Sequence, residues 1–342
     1  MKIGIIGDLH LKERLSYSEY LEDGREEEKN AVLDEIVDYL SDCKTIVLIG
    51  DQLNARNNTS KVISEFVDFV ERFEDKKVYI MAGNHEKFGS GRSAIDFLSK
   101  IKGKNWTVVT DKVLEDNGMV FCPYFTASEL EERDLDKASK KVLKKLKGHE
   151  GKVLFAHHAI SGTKTGSNIS TDIFNEVVLQ KDDLMKLFDV VVAGHIHHPQ
   201  EEENLAITGS TFTSEVNETE KFVWKLNTTG NKIEKKKLST RAIYGLSDPS
   251  VEDLKVLDKS SIVKVTITKK IKKDDLEALK KALRKFDAFI IIEQKKVERK
   301  SNRTSLDKNP LDMSVEELLI IYAKQTKVSP QKIISGFDLI KK

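Results

Sequence analysis

The stretch FDVVVAGHIHHPQ, residues 188–200, runs from an apolar segment straight into three histidines, His195, His197 and His198. The apolar half reads as a buried strand. Imidazoles at the mouth of such a strand are poor core residues, and their clustering points to something that coordinates them. The other ligands must come from elsewhere in the chain.

Working outward, the runs KIGIIG (2–7), KTIVLIG (44–50), KVYIMAG (77–83) and GKVLFAHH (151–158) repeat the pattern of DVVVAGH (189–195). Each is apolar or β-branched, and ends in Gly or another small residue followed by Asp, Asn or His. Between them lie helical patterns over 26–40, 60–73 and 128–146. This alternation predicts an α/β layered fold with helices covering a central sheet. The polar residues then gather at the carboxyl edge of the strands, where open α/β sheets bind ligands.

Beyond His198 the pattern changes to short strands, NLAITG, KFVWKLN and KIEKKKL, with a turn at Thr229-Gly230-Asn231. They read as antiparallel strands that finish the domain. A second unit opens near Ser260 with the strand SIVKVTIT. A helix follows with Leu276, Leu279, Leu283 and Phe286 on one face, and then the strand AFIIIE. The polar stretch 294–310 reads as a flexible linker. Ser314 to Glu317 forms a capping box that opens a helix with Val315, Leu318, Leu319, Tyr322 and Ala323 on one stripe, and Ser329-Pro330 can start another short helix. So small an apolar module either packs on its own body or docks a partner.

At 342 residues, 39% hydrophobic and 33% charged, the chain is globular and long enough for one large core plus a smaller domain. Cys43 and Cys122 are far apart in sequence and fit no disulfide or metal spacing, which favours a reducing cytoplasm and argues against a structural zinc. The apolar start MKIGIIGD is too short for a signal peptide, and no run approaches the roughly 18 apolar residues of a membrane span, so a soluble, cytoplasmic protein is expected. Net charge is +1 but uneven: from Lys259 onward there are 21 Lys and Arg against 11 Asp and Glu, which leaves the preceding part at −9. A basic tail suits a polyanion such as DNA, though it also suits a solvated face, and the acidic body suits a cation site.

The strand ends supply Asp8 and His10, then Asp51, then Asn84 and His85, then His157 and His158, and finally His195, His197 and His198. Of the eight histidines only His149 lies outside these clusters. Carboxylate, imidazole and amide oxygen together suit Mn²⁺, Fe²⁺ or Zn²⁺. Two such ions about 3.5–4 Å apart need about seven ligands with one bridging carboxylate, and they lower the pKa of a shared water for phosphoester hydrolysis. Each cluster alone is weak evidence; five in this order, each closing an apolar strand, are strong.

These residues resemble the calcineurin-like metallophosphoesterases, whose pattern runs D-x-H, G-D, G-N-H-[DE], H and G-H-x-H. Within that family the chain looks like the SbcD-type nuclease subunit of DNA double-strand-break repair complexes, phage relatives included. The motif resemblance covers roughly residues 1–215; the remainder matches in order and size only. It implies a layered β-sandwich flanked by helices (1–240), a small α+β capping domain that selects DNA ends (241–296), a linker (297–310) and C-terminal helices (311–342) that bind a coiled-coil ABC-type ATPase of the SbcC type. It also implies two divalent ions, most fittingly Mn²⁺, and a homodimer within a heterotetramer.

By position, the resemblance gives one ion Asp8, His10, Asp51 and His197, and the other Asp51, Asn84, His157 and His195. His85 would be no ligand but the residue that stabilises the transition state or protonates the leaving oxygen. His157 is favoured over His158 because it directly follows the apolar run and stands at the family-like distance before Ser161-Gly162. His158 and His198 would support the site or face solvent. Arg56 is a candidate phosphate contact, or an exposed salt-bridging arginine. Asn54 stands where relatives often carry His or Asp, and Glu86 replaces the more usual Asp.

Three readings follow: a DNA nuclease, exonucleolytic at duplex ends with single-strand endonuclease activity also open; a phosphatase or small-molecule phosphodiesterase on the same metal core; and a non-catalytic scaffold. The second shares GNHE with the protein serine/threonine phosphatases, but GDQLNAR lacks their Asp-Arg-Gly. The third would be expected to lose a ligand or His85, and none is lost.

Overall fold

The computed structural model describes residues 1–18, 21, 24–88, 91–101, 103–149, 152–269, 271–284, 290–294 and 318–319. The chain divides into two units, Met1–Gln294 and Lys295–Lys342. In the second, Leu318 and Leu319 are helical; the rest of the expected linker and C-terminal helices lies outside the described residues, as does Phe286.

The first unit begins with β1 (Lys2–Ile6), α1 (Glu26–Tyr39), β2 (Thr45–Leu48), α2 (Ser60–Glu71), β3 (Lys77–Met81) and β4 (Trp106–Val109). Next come β5 (Leu114–Asp116), β6 (Met119–Cys122), α3 (Leu135–Leu146), β7 (Val153–Ala156), β8 (Ala159–Ile160), β9 (Val178–Leu179), α4 (Lys181–Leu187) and β10 (Val190–Ala193). The short strands β11 (Gln200–Glu202), β12 (Leu205–Ile207), β13 (Phe222–Asn227) and β14 (Lys232–Lys237) follow.

The apolar runs that by themselves suggested one central sheet divide between two, as the layered β-sandwich implied by the resemblance requires. One sheet has the order β14-β13-β1-β2-β3-β4, the other β11-β12-β10-β7-β6-β5. Each has four parallel strands at its centre or edge, with antiparallel additions: β13 and β14 beside β1, β11 beside β12, and β5 beside β6. Strands buried on both faces explain the unbroken apolar runs. With a side-chain period of two, Ile3, Ile5, Val47, Tyr79 and Met81 face the partner sheet's Phe121, Phe155, Val190 and Val192. The Tyr79 and Phe121 rings stack across that interface with centroids 4.2 Å apart.

The alternate residues face helices. Ile46, Leu48, Val78 and Ile80 pack on Val32 and Ile36 of α1 and on Phe66 and Phe69 of α2. Leu154, Ala156, Val191 and Ala193 pack on Val142, Leu143 and Leu146 of α3 and Leu184 of α4. The result is a helix-sheet-sheet-helix sandwich. α3 begins at Leu135 rather than near Ser128, because the Asp134 side chain caps it by accepting the Lys137 N–H, and the preceding residues form turns.

A third, all-parallel sheet follows in the order β15 (Ile243–Ser247), β16 (Ile262–Ile267) and β17 (Ile290–Gln294), with α5 (Lys273–Leu283) between the last two. Leu279 and Leu283 of α5 pack on Val263, Val265 and Ile267. The β-α-β unit expected from Ser260 thus gains β15 in front. Both cysteines are free and buried. Among the described residues no helix is long and apolar enough to cross a membrane.

Candidate metal centre

The parallel strands of both sheets deliver their carboxyl ends to one place. β1, β2 and β3 are followed by Asp8 and His10, Asp51, and Asn84 with His85; β7 and β10 are followed by His157, and by His195 with His197. The centre therefore lies on the seam between the sheets.

Glycines make the convergence sterically feasible. A Cβ on Gly83 would lie 2.1 Å from Asp51 Oδ1, and one on Gly50, whose φ is +114°, would lie 2.2 Å from His157 Nδ1. Three ligand candidates themselves adopt left-handed backbone: His10 at φ 45°, Asp51 at 51° and His195 at 79°. Such conformations cost of order 1–3 kcal/mol each and persist where the surroundings enforce them. Here His10 N–H donates to the Asp51 carbonyl at 2.9 Å, and His195 N–H donates to Asp8 Oδ2 at 3.0 Å.

The side chains form overlapping sets. Ligand atoms of Asp8, His10 and His197 lie within 4.8 Å of one another, as do those of Asp51, His157 and His195 and those of His10, Asp51 and His85. His10 Nε2 faces His197 Nε2 at 2.9 Å and Asp51 Oδ2 at 3.7 Å. His157 Nε2 lies 3.3 Å from both Asp51 Oδ2 and Asn84 Oδ1, and His195 Nδ1 lies 2.9 Å from Asn84 Oδ1. Nearly all of these atoms are lone-pair donors, turned toward one another at about the separation of neighbouring ligands on bonds of roughly 2.0–2.2 Å. The donor set thus fits divalent cations, with Asp51 common to both sides.

The electrostatics agree. Burial pushes the Asp8 carboxyl up to about 7, a cost that a neighbouring cation would remove. Asp51 is buried as deeply, but His157, His10 and His85 outweigh burial and hold its carboxyl well below the usual range. His157 is opposed by burial, yet Asp51 and Asp8 carry it up to about 10, so that it would have to give up a proton in order to ligate a cation. Burial holds His10 well below its ordinary value and brings His197 down to about 4, a direction that favours the neutral form that ligation requires.

His85 differs from the rest. Its side chain is 39% exposed, against 7% for His10 and none for His157. Nδ1 lies 2.8 Å from the Asn54 carbonyl, so that Nε2, 4.0 Å from Asp51 Oδ2, is the free edge. The departure at Asn54 is immaterial to this contact, because a backbone atom makes it. Arg56 is exposed in the same loop and has no ion pair among the described residues. His158 is fully buried, stacked on Tyr124 at 4.9 Å, with Nε2 accepting from Phe125 N–H, and His198 is exposed.

Three carboxylates had no assigned role in the sequence reading of the site. Glu86 is buried and accepts the N–H groups of Asp51, Leu53 and Gly83 at 3.1, 2.8 and 2.7 Å. Glu218 accepts from Ser214 N–H at 2.6 Å, pairs with Lys221 at 3.0 Å and lies 3.7 Å from His197 Nδ1. Glu176 lies 2.8 Å from His195 Nε2. Glu86 was visible within GNHE; the other two sit in aperiodic loops that carry no signal. A cavity of about 360 Å³ opens beside the centre, lined by Phe174, Glu176, His195, His197, His198 and Val216 among others.

A family model, calcineurin-like phosphoesterase, matches residues 1–199. No curated protein matches. Among solved structures, one described as a novel archaeal phosphodiesterase is similar at 13% identity, covering 70% of this chain and 100% of its own, with a TM-score of 0.34.

Proposed function

The chain belongs to the calcineurin-like phosphoesterase family, and from that premise we propose that it is a DNA nuclease of the SbcD type, hydrolysing phosphodiesters with two divalent ions, most fittingly Mn²⁺. The observation that carries the phosphoesterase part is the position of Asp51, whose Oδ2 stands between His10 on one side and His157 on the other. One ion would be held by Asp8, His10, Asp51 and His197, the other by Asp51, Asn84, His157 and His195. When bound, the ions supply an activated water and charge compensation at the phosphorus oxygens.

The protein's own groups do the rest. His85, its ring oriented by the Asn54 carbonyl, presents Nε2 to protonate the leaving oxygen. Arg56 meets a flanking phosphate. The DNA reading is supported by the third sheet, which the resemblance assigns to selecting ends. β15 joins the loop beside the centre directly: Asn217 N–H donates to the Ile243 carbonyl at 2.6 Å, and Ile243 N–H to that of Glu218 at 2.9 Å. The basic chain beyond Lys259 suits a polyanion. Residues 311–342 are the proposed dock for a coiled-coil ABC-type ATPase, with the nuclease as a homodimer in the host cytoplasm or its cellular equivalent.

The test is incubation with Mn²⁺ and end-labelled duplex DNA beside a phosphomonoester and a small diester, with His85→Ala as control. DNA degradation lost in the control is expected. Preference for the monoester would move the chain to the phosphatases and overturn the nuclease reading.

A further inference from the structure

The segment between β8 and β9 returns to the metal centre at Glu176. Its own framework is well tied: Thr171 Oγ1 donates to the Ile160 carbonyl at 2.7 Å, and Thr171 N–H to that of Thr163 at 3.0 Å. Glu176 Oε1 lies 2.8 Å from His195 Nε2, with the two side chains 21% and 10% exposed, and the Tyr124 hydroxyl donates to Oε2 at 3.4 Å. On the opposite edge of the same ring, Nδ1 faces Asn84 Oδ1 at 2.9 Å.

An ionised carboxylate only accepts, so the proton of a neutral His195 belongs on Nε2. Nδ1 is then left with its lone pair pointed at the lone pair of Asn84 Oδ1, a repulsive pairing that a cation held by both residues would relieve. The ring cannot turn over to offer Nε2 instead without giving up Glu176. Metal-bound histidines commonly donate their other N–H in this manner, which fixes ring and tautomer.

We propose that Glu176 is a positioning residue of the centre: by taking the Nε2 proton of His195 it presents that histidine to the cation through Nδ1. The inference rests on the reading of the centre as a cation site. It also makes the 162–177 loop, which lies outside all the sequence motifs, part of the metal site.

The test is Mn²⁺ titration by calorimetry on the full chain and on Glu176→Ala, with Tyr124→Phe as a variant that removes only the outer partner. Wild type is expected to take up two ions. Glu176→Ala should weaken one of them about 10–100-fold, while Tyr124→Phe stays within about threefold of wild type. Nitrogen NMR of the metal-free protein should show His195 protonated at Nε2 in wild type and mixed between its nitrogens in Glu176→Ala. Two wild-type-like sites together with an unchanged His195 tautomer in Glu176→Ala would overturn the proposal alone. A wild-type chain that binds no Mn²⁺ would overturn the cation-site reading beneath it.

Discussion

Glu86 holds the backbone of Asp51: its Oε2 accepts the Asp51 N–H at 3.1 Å, while Oε1 accepts that of Leu53 at 2.8 Å. The last letter of GNHE is therefore a clamp between two strand ends rather than a ligand. Glu86→Gln keeps the shape but loses an accepting oxygen, and should cost about 1–3 kcal/mol of stability through an unsatisfied buried N–H. Urea unfolding checks it; a midpoint equal to wild type would contradict the clamp.

Gly83→Ala places a methyl carbon 2.1 Å from Asp51 Oδ1 and 2.4 Å from the Asp51 backbone nitrogen, so Asp51 must shift. The expected outcome is a folded chain, unchanged in far-ultraviolet circular dichroism, with Mn²⁺ affinity reduced at least 10-fold. Full affinity would mean that Asp51 is not held where the structure has it.

Asp51 and His85 should separate binding from chemistry. Asp51→Asn removes the shared carboxylate and should weaken both ions. His85→Asn should leave two-ion binding intact and lower the turnover of a small diester by about 10²–10⁴-fold, the usual worth of a general acid. Loss of an ion in His85→Asn would make His85 a ligand instead.

Metal should stabilise the fold, because the ligand candidates come from both sheets and are dispersed in the unfolded chain. At 100 times the dissociation constant one ion contributes about 2.7 kcal/mol. Melting followed with added Mn²⁺ and then with excess chelator should show a rise and its reversal. A melting temperature indifferent to both would exclude a cation site at the seam.

Burial raises the Cys122 thiol to about 12 and the Cys43 thiol to about 11. At pH 8 the thiolate fraction is then roughly a thousandth or less, and the thiolate is the reactive form. A disulfide-exchange reagent should label neither cysteine in the folded chain and both after unfolding. Rapid labelling of the folded protein would contradict their burial.

Much of this was legible because each motif ends an apolar run. The position of Asp8 after β1, Asp51 after β2 and His195 after β10 follows from where the apolar residues stop. The division of those runs between two sheets was implied by the family resemblance but not by the runs themselves, since a strand buried against a helix and a strand buried against another sheet have the same composition. Nor was Glu176, which reaches His195 from a loop whose course depends on tertiary hydrogen bonds such as Thr171 to Ile160. Glu86 stood in plain view, but its role depends on three N–H groups that only the fold brings together.

β1 runs antiparallel beside β13, with Gly4 opposite Lys225. At the ribosome's pace of about 5–20 residues per second, those two residues are made roughly ten to forty seconds apart. Through that interval the first sheet has an open edge, although Asp8, His10, Asp51 and Asn84 already exist. A nascent chain stopped at residue 199, the limit of the family match, would carry every ligand candidate and still lack the strand that pairs with β1 on its outer side. Completion of the first sheet therefore waits on residues made after the last of the ligand candidates, His197.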